Sequence, residues 1–238
     1  MQARSVAAGQ GWLWIRDGFG LFRQNPVIWI ALFFIYLLIC MVLSVVPVVG
    51  PIVLNLLAPV FVAGFMMGCR ALDAGEELEI NHLFAGFKHN TAHLITVGGL
   101  YLAGIIVVLG VVYVMSGGVL LAADRPEQAM GNIENSETML LAALVGLAML
   151  LPLVMAYWFA PALVLFHGAR PTDAMRTSFF ACLANVVPFT LYSLISMVLL
   201  VLAMIPLGLG LLVMIPTMTA SLYASYRDIF GEEAVAAE

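Results

Sequence analysis

Long apolar runs constrain this chain more than any other feature of its sequence. Six of them follow one another, each long enough to supply the roughly 20 apolar residues that a helix needs to cross a bilayer. Only 10% of the 238 residues are charged, against roughly 25% in a soluble domain. The sequence therefore predicts an all-α, polytopic integral membrane protein whose residues 1–238 form a single membrane domain. The predicted spans lie near 26–46, 51–70, 94–121, 139–166, 186–205 and 207–227.

The distribution of Lys and Arg predicts the orientation of these spans. With a cytoplasmic N-terminus, only Arg125, in an exterior loop near 122–138, falls on the far side. The other eight of the nine basic residues fall on the cytoplasmic side, as the positive-inside rule requires. Both termini are therefore expected in the cytoplasm. The eight are Arg4, Arg16, Arg23, Arg70, Lys88, Arg170, Arg176 and Arg227.

A unit made of a short amphipathic segment, an asparagine and two spans recurs three times. It predicts internal repeats over 10–70, 80–168 and 172–228, that is, three hairpins that each follow a short interfacial amphipathic helix. Coincidence is the alternative, because Phe and Asn are common near the starts of spans. The asparagines are Asn25, Asn90 and Asn185. Six positions before each asparagine stands a phenylalanine: Phe19, Phe84 and Phe179. Three positions before each stand Phe22, Phe87 and Cys182.

Each residue type in this unit has a predicted structural role. The side-chain oxygen of each asparagine can accept a hydrogen bond from a free N–H at the start of the following span, most clearly where Asn25 precedes Pro26. The five phenylalanines are expected at the boundary between headgroups and acyl chains. Interior prolines are expected to kink the second span of each hairpin. These prolines are Pro59, Pro161 and Pro216.

No motif in the chain specifies an enzymatic reaction. The spans carry no ionisable residue near mid-depth, which argues against proton-coupled transport. The only metal-ligating pattern is His82, His89 and His93, of which the last two share a helical face. A solvated face of the second interfacial helix explains the same histidines, so we expect neither a metal nor another cofactor.

Three stretches resemble an uncharacterised family of proteobacterial six-span inner-membrane proteins. They are Gly11 to Pro26, Phe159 to Gly168, and Tyr223 to Gly231. A looser likeness, in architecture, is to YciC-like proteins and to the membrane domain of some glycerophosphodiester phosphodiesterases, although the catalytic barrel of those enzymes is missing here. The resemblance implies a bacterial inner membrane and no established activity.

Three functions fit these observations. The first is a non-enzymatic inner-membrane protein that handles lipid or a small hydrophobic solute, or supports the envelope. It would contact the bilayer and a bound phospholipid. The second is a scaffold or accessory subunit that binds a protein partner or a second copy of itself. The third, a metal-dependent membrane enzyme, rests on the histidines alone. No nucleic-acid partner is expected, because the chain has no basic stripe.

Overall fold

The computed structural model describes residues 3–116 and 136–231, and within these ranges every regular element is a helix. Most of the predicted exterior loop near 122–138 lies outside the described residues. We number the α-helices in chain order and call the one 3₁₀ helix of these ranges η1. They are α1 (Gln10–Gln24), α2 (Pro26–Ser44), α3 (Val49–Asp73), η1 (Ile80–Phe87), α4 (Thr91–Met115), α5 (Ser136–Trp158), α6 (Ala160–His167), α7 (Pro171–Ala184), α8 (Val186–Met204) and α9 (Leu211–Phe230).

Five helical segments of the described residues are long and apolar enough to cross a membrane. Contacts join α2 to α3, α4 to α5, and α8 to α9. The fourth segment combines α5 and α6, which are separated at Phe159. The five are Pro26–Ser44, Val49–Asp73, Thr91–Met115, Glu137–His167 and Val186–Met204.

The sixth predicted span, near 207–227, overlaps α9. This helix is not among the five segments that are long and apolar enough to cross a membrane. The physical reason lies in its composition. Hydroxyl side chains recur along the helix, and Arg227 and Asp228 lie at its C-terminal end. Many of its side chains are buried against other helices, so α9 needs less apolar surface than a helix that faces lipid all round.

The buried core lies toward one end of the bundle. This is the end at which Arg4 and Ile229 meet, and we call it the terminal end. Within α3, every buried residue except Gly50 lies from Pro59 onward, toward the terminal end. At the opposite end apolar side chains point outward; Ile205, for example, is 73% exposed. Such a surface requires lipid around it, because a patch of this extent is not tolerated in water.

The short helices pack against long helices of the protein. α1 contacts α9 and α8, η1 contacts α3, and α7 contacts α5 and α6. Small residues permit these approaches: a Cβ on Gly18 of α1 would lie 2.6 Å from the carbonyl oxygen of Thr217. Gly64 of α3 likewise lies directly against the carbonyl of Leu83 in η1. Part of the apolar face that the sequence predicts to rest on the leaflet is thus covered by protein.

Candidate functional site

The N-terminal segment is fastened to the end of α9. The backbone N–H of Arg4 donates to the carbonyl of Ile229 at 2.9 Å. The Arg4 guanidinium pairs with Asp228, Nη2 to Oδ1, at 2.8 Å. Asp228 also accepts a 2.9 Å hydrogen bond from the indole of Trp14, which is 2% exposed. Both described ends of the chain therefore lie at the same end of the bundle.

Asn185 holds the same N-terminal segment from the other side. Its Oδ1 accepts from the N–H of Val6 at 2.8 Å, and its Nδ2 donates to the carbonyl of Arg4 at 3.0 Å. A further bond runs from Nδ2 to the carbonyl of Ala181 at 2.9 Å. The side chain makes no N-cap bond to α8. Asn185 therefore binds backbone groups of residues 4–6 where the sequence predicted a cap.

The other two predicted capping residues differ from each other. Oδ1 of Asn25 accepts from the N–H of Ile28 at 3.4 Å, with Pro26 at the first position of α2. Asn90 makes no cap bond and adopts a left-handed backbone conformation, with φ of 53°. Its Nδ2 donates to the carbonyl of Val164 at 3.1 Å. Of the three asparagines, Asn25 alone has the predicted N-cap geometry.

The five phenylalanines predicted at the interface occupy different environments. Phe19, Phe84 and Phe87 are exposed, whereas Phe179 is half-buried. Phe22 is 5% exposed and lies inside the protein core. Exposed and buried positions alternate around these helices, so each helix has one side toward protein and another side away from it.

The predicted kink prolines are all buried, and they lie near the contacts of the short helices. Pro59 and Pro216 lie within α3 and α9, while Pro161 lies in the first turn of α6. At the break between α5 and α6, Ser178 of α7 accepts from the N–H of Phe159 at 2.9 Å and donates to a carbonyl of α5. A side chain thus satisfies backbone groups that the interrupted helix leaves free.

His82 and His89 make local hydrogen bonds, and His93 is exposed at the start of α4. Nδ1 of His82 accepts from the N–H of Glu79 at 3.0 Å, which starts η1 with a capping box. A ring nitrogen of His89 lies 3.2 Å from the carbonyl of Ala85. In residues 3–116 and 136–231, no three His, Cys, Asp or Glu side chains form a group that could hold a metal ion.

A polar cavity of about 450 Å³ lies beside the N-terminal segment at the terminal end. Its walls include Arg4, Asp17, Arg227 and Asp228. Arg4 pairs with Asp228, and Arg227 pairs with Asp73 of α3. Both arginines therefore already have an acidic partner, and the two ion pairs join the N-terminal segment to α9 and α9 to α3.

A second space, an apolar groove of about 510 Å³ between α1, α8 and α9, has a different character. Its side toward α1 carries Trp12, Arg16 and Phe19. At its far end α8 and α9 approach closely, since a Cβ on Gly210 would lie 2.6 Å from the Cα of Ala203. Between these ends the wall is formed by aliphatic side chains, methionine and Thr217. These include Leu199, Leu202, Val213 and Met214.

This groove combines an apolar lining with one cationic side chain. Arg16 is its only charged lining residue among those described, and its guanidinium lies 3.2 Å from the neighbouring Asp17. Apolar pockets of 300–1,000 Å³ with a few polar groups at one end are typical of small-molecule sites. Sequence reasoning identified Phe19 but missed the groove. The spacing of Gly11 and Gly18, seven residues apart on one helical face, could have indicated that α1 lies close against another helix.

The comparisons with known proteins show one informative similarity. The chain is 35% identical over 255 residues to a probable inner membrane protein of Burkholderia thailandensis, covering 97% of this chain and 94% of the relative. No family model matches the chain, and no solved structure matches it. The looser likeness to YciC-like proteins and to phosphodiesterase membrane domains therefore receives no support. The apolar helices of this chain and its similarity to the Burkholderia protein show that it is an integral inner-membrane protein and belongs to the same family.

Proposed function

We propose that this protein is a non-enzymatic lipid-binding protein of the inner membrane, which holds an acyl chain in the groove between α1, α8 and α9. The observation that carries the proposal is the groove itself, whose wall is mostly apolar from Arg16 to the close contact of Ala203 with Gly210. The hydroxyl of Thr217, which also lines the groove, already donates to the carbonyl of Val213. An acyl chain can replace lipid contacts there without leaving a polar group unsatisfied. A charged headgroup would lie at the α1 side, next to Arg16.

The proposed arrangement in the membrane is six crossings in three hairpins, with both termini in the cytoplasm. The contact of Arg4 with Asp228 supports an even number of crossings, because it holds the two ends of the described chain at one end of the bundle. If α8 crosses the membrane, α9 has to return. The excess of Lys and Arg on the side of the termini supports the cytoplasmic orientation.

In this arrangement the three short helices lie at the cytoplasmic interface, with one side on protein and the other toward headgroups. Phe19, Phe84 and Phe87 are exposed on that second side. Three internal repeats are part of the same proposal. The repeats are supported by one recurring contact: each short helix packs on the second long segment of a different hairpin. Helix η1 packs on α3, α7 packs on α5 and α6, and α1 packs on α9.

The test fills the groove and measures bound lipid. Val213→Trp places a large side chain in the groove wall. Val201→Trp places one outside the groove, at a position of α8 where the valine is 59% exposed. Each protein is extracted in mild detergent and examined by native mass spectrometry. We expect wild type and Val201→Trp to retain phospholipid, and Val213→Trp to lose it while keeping its thermal stability.

Equal lipid retention by all three proteins would contradict the proposal. A stable complex with another protein, released by Val201→Trp but not by Val213→Trp, would favour the scaffold function instead. The two variants therefore separate a lipid in the groove from a protein on the exposed face of α8.

A further inference from the structure

The α1 side of the groove, which we call the groove mouth, carries more positive than negative charge. Arg16 lines the groove directly. The guanidinium carbon of Arg23 lies 5.8 Å above the ring of Phe19, which also lines the groove. Asp17 is the acid paired with Arg16. Two guanidinium groups and one carboxylate therefore lie on or next to the α1 side of the groove.

The negative charge of Asp17 is shared between the groove mouth and the polar cavity. Asp17 also lines the polar cavity that contains Arg227, so its charge acts on both sides of α1. Arg23 has no hydrogen bond or ion pair within residues 3–116 and 136–231, and only the face of the Phe19 ring accompanies its charge. A cation placed over an aromatic ring keeps its N–H groups available for an anion.

Building on the proposed function, we propose that the groove selects a phospholipid with a net negative headgroup. Its phosphate would lie between Arg16 and Arg23, and one acyl chain would extend along the aliphatic wall toward Ala203. A zwitterionic lipid fits the same groove, but its ammonium group would meet the same excess of positive charge. The selection therefore concerns the headgroup, while the groove provides contact for the chain.

The fluorescence of Trp12 provides a direct readout, because this indole lines the groove and is 47% exposed. The protein is reconstituted in vesicles of equal phosphatidylglycerol and phosphatidylcholine, in which either lipid carries brominated acyl chains that quench tryptophan. The signal of Trp12 is the difference between wild type and Trp12→Phe. We expect brominated phosphatidylglycerol to occupy the site about fivefold more strongly than brominated phosphatidylcholine.

Charge variants separate selection from occupancy. Arg16→Gln with Arg23→Gln should bring the preference close to one, while Arg16→Lys with Arg23→Lys should keep most of it. Arg176→Gln is the matched control, since Arg176 also lies over an aromatic ring, that of Phe180 at 5.9 Å, but outside the groove. It should leave the preference unchanged.

Three results would overturn the inference in different ways. Equal and strong quenching of Trp12 by both lipids would refute selection by charge and leave the lipid-binding function intact. Quenching by neither lipid, in a protein with wild-type thermal stability, would refute both proposals. A preference for phosphatidylglycerol that survives Arg16→Gln with Arg23→Gln would show that these arginines do not provide it.

Discussion

Arg4 and Asp228 form an ion pair of 2.8 Å between residues that are 224 positions apart in the chain. Trp14 donates its indole N–H to the same carboxylate, so Asp228 joins the N-terminal segment, α1 and α9 at one point. The contact holds the N-terminal segment and α1 against α9 at the terminal end. The bond from Trp14 to Asp228 also fixes the position of α1, whose opposite side lines the groove.

The membrane topology can be tested by cysteine labelling of a variant in which Cys40, Cys69 and Cys182 are replaced. We expect a cysteine at position 130, in the predicted exterior loop, to react with an impermeant maleimide added to intact cells. Cysteines at positions 5 and 235 should react only after the membrane is opened. Labelling of either terminal position from outside would contradict a cytoplasmic location of the termini.

Replacing the two partners of the ion pair should have unequal effects. Arg4→Ala removes an exposed charge and should lower the free energy of unfolding by less than about 1 kcal/mol. Asp228→Ala also leaves the buried indole N–H of Trp14 without an acceptor, which costs about 1–3 kcal/mol more. Thermal unfolding in detergent measures both. Equal losses would mean that the bond from Trp14 adds nothing to stability.

Two glycines of α1 provide a matched test of how closely this helix packs. Gly18→Ala should destabilise the protein by about 1–3 kcal/mol, because its Cβ would lie 2.6 Å from backbone atoms of Thr217 and Ser221. Gly20→Ala should stabilise it by about 1 kcal/mol, since no atom lies within 4 Å and alanine favours a helix. If both variants gain stability, α1 does not lie against α9 as described.

The asparagines Asn25 and Asn185 should respond differently to the same substitution. Asn25→Ala should cost about 1 kcal/mol, and Asn25→Asp less, because a carboxylate also accepts the bond from Ile28. Asn185→Asp should cost on the order of 3 kcal/mol, since the buried carboxylate can donate neither to Arg4 nor to Ala181. Differential scanning fluorimetry in detergent distinguishes these cases, and a mild effect at position 185 would contradict its role as an anchor of the N-terminal segment.

The sequence predicted those features that depend on local composition. Apolar runs revealed the membrane helices, and the pair Asn25-Pro26 revealed the start of α2, because capping involves residues only three positions apart. The last helix was harder to classify. Because α9 is largely covered by protein, it tolerates Thr217, Ser221 and Ser225. These polar residues lower the mean hydropathy by which a membrane span is recognised.

Features that depend on distant partners could not be read from the sequence. An amphipathic pattern is the same whether the apolar side meets lipid or protein, so Phe22 and Phe19 looked equivalent although only Phe19 is exposed. Asn185 bonds to a segment 179 to 181 positions away, and no local pattern indicates that partner. The groove arises where α1 crosses α8 and α9, and therefore depends on tertiary packing.

Photocrosslinking from within the groove detects a lipid chain bound between α1, α8 and α9. An aliphatic diazirine amino acid, small enough to leave the groove open, replaces Val213 in the groove or, as control, Val201 on the exposed face of α8. Both proteins are purified in detergent without added lipid, irradiated and analysed by mass spectrometry. We expect a phospholipid adduct at position 213 and detergent adducts at position 201. Detergent adducts alone at both positions would contradict it.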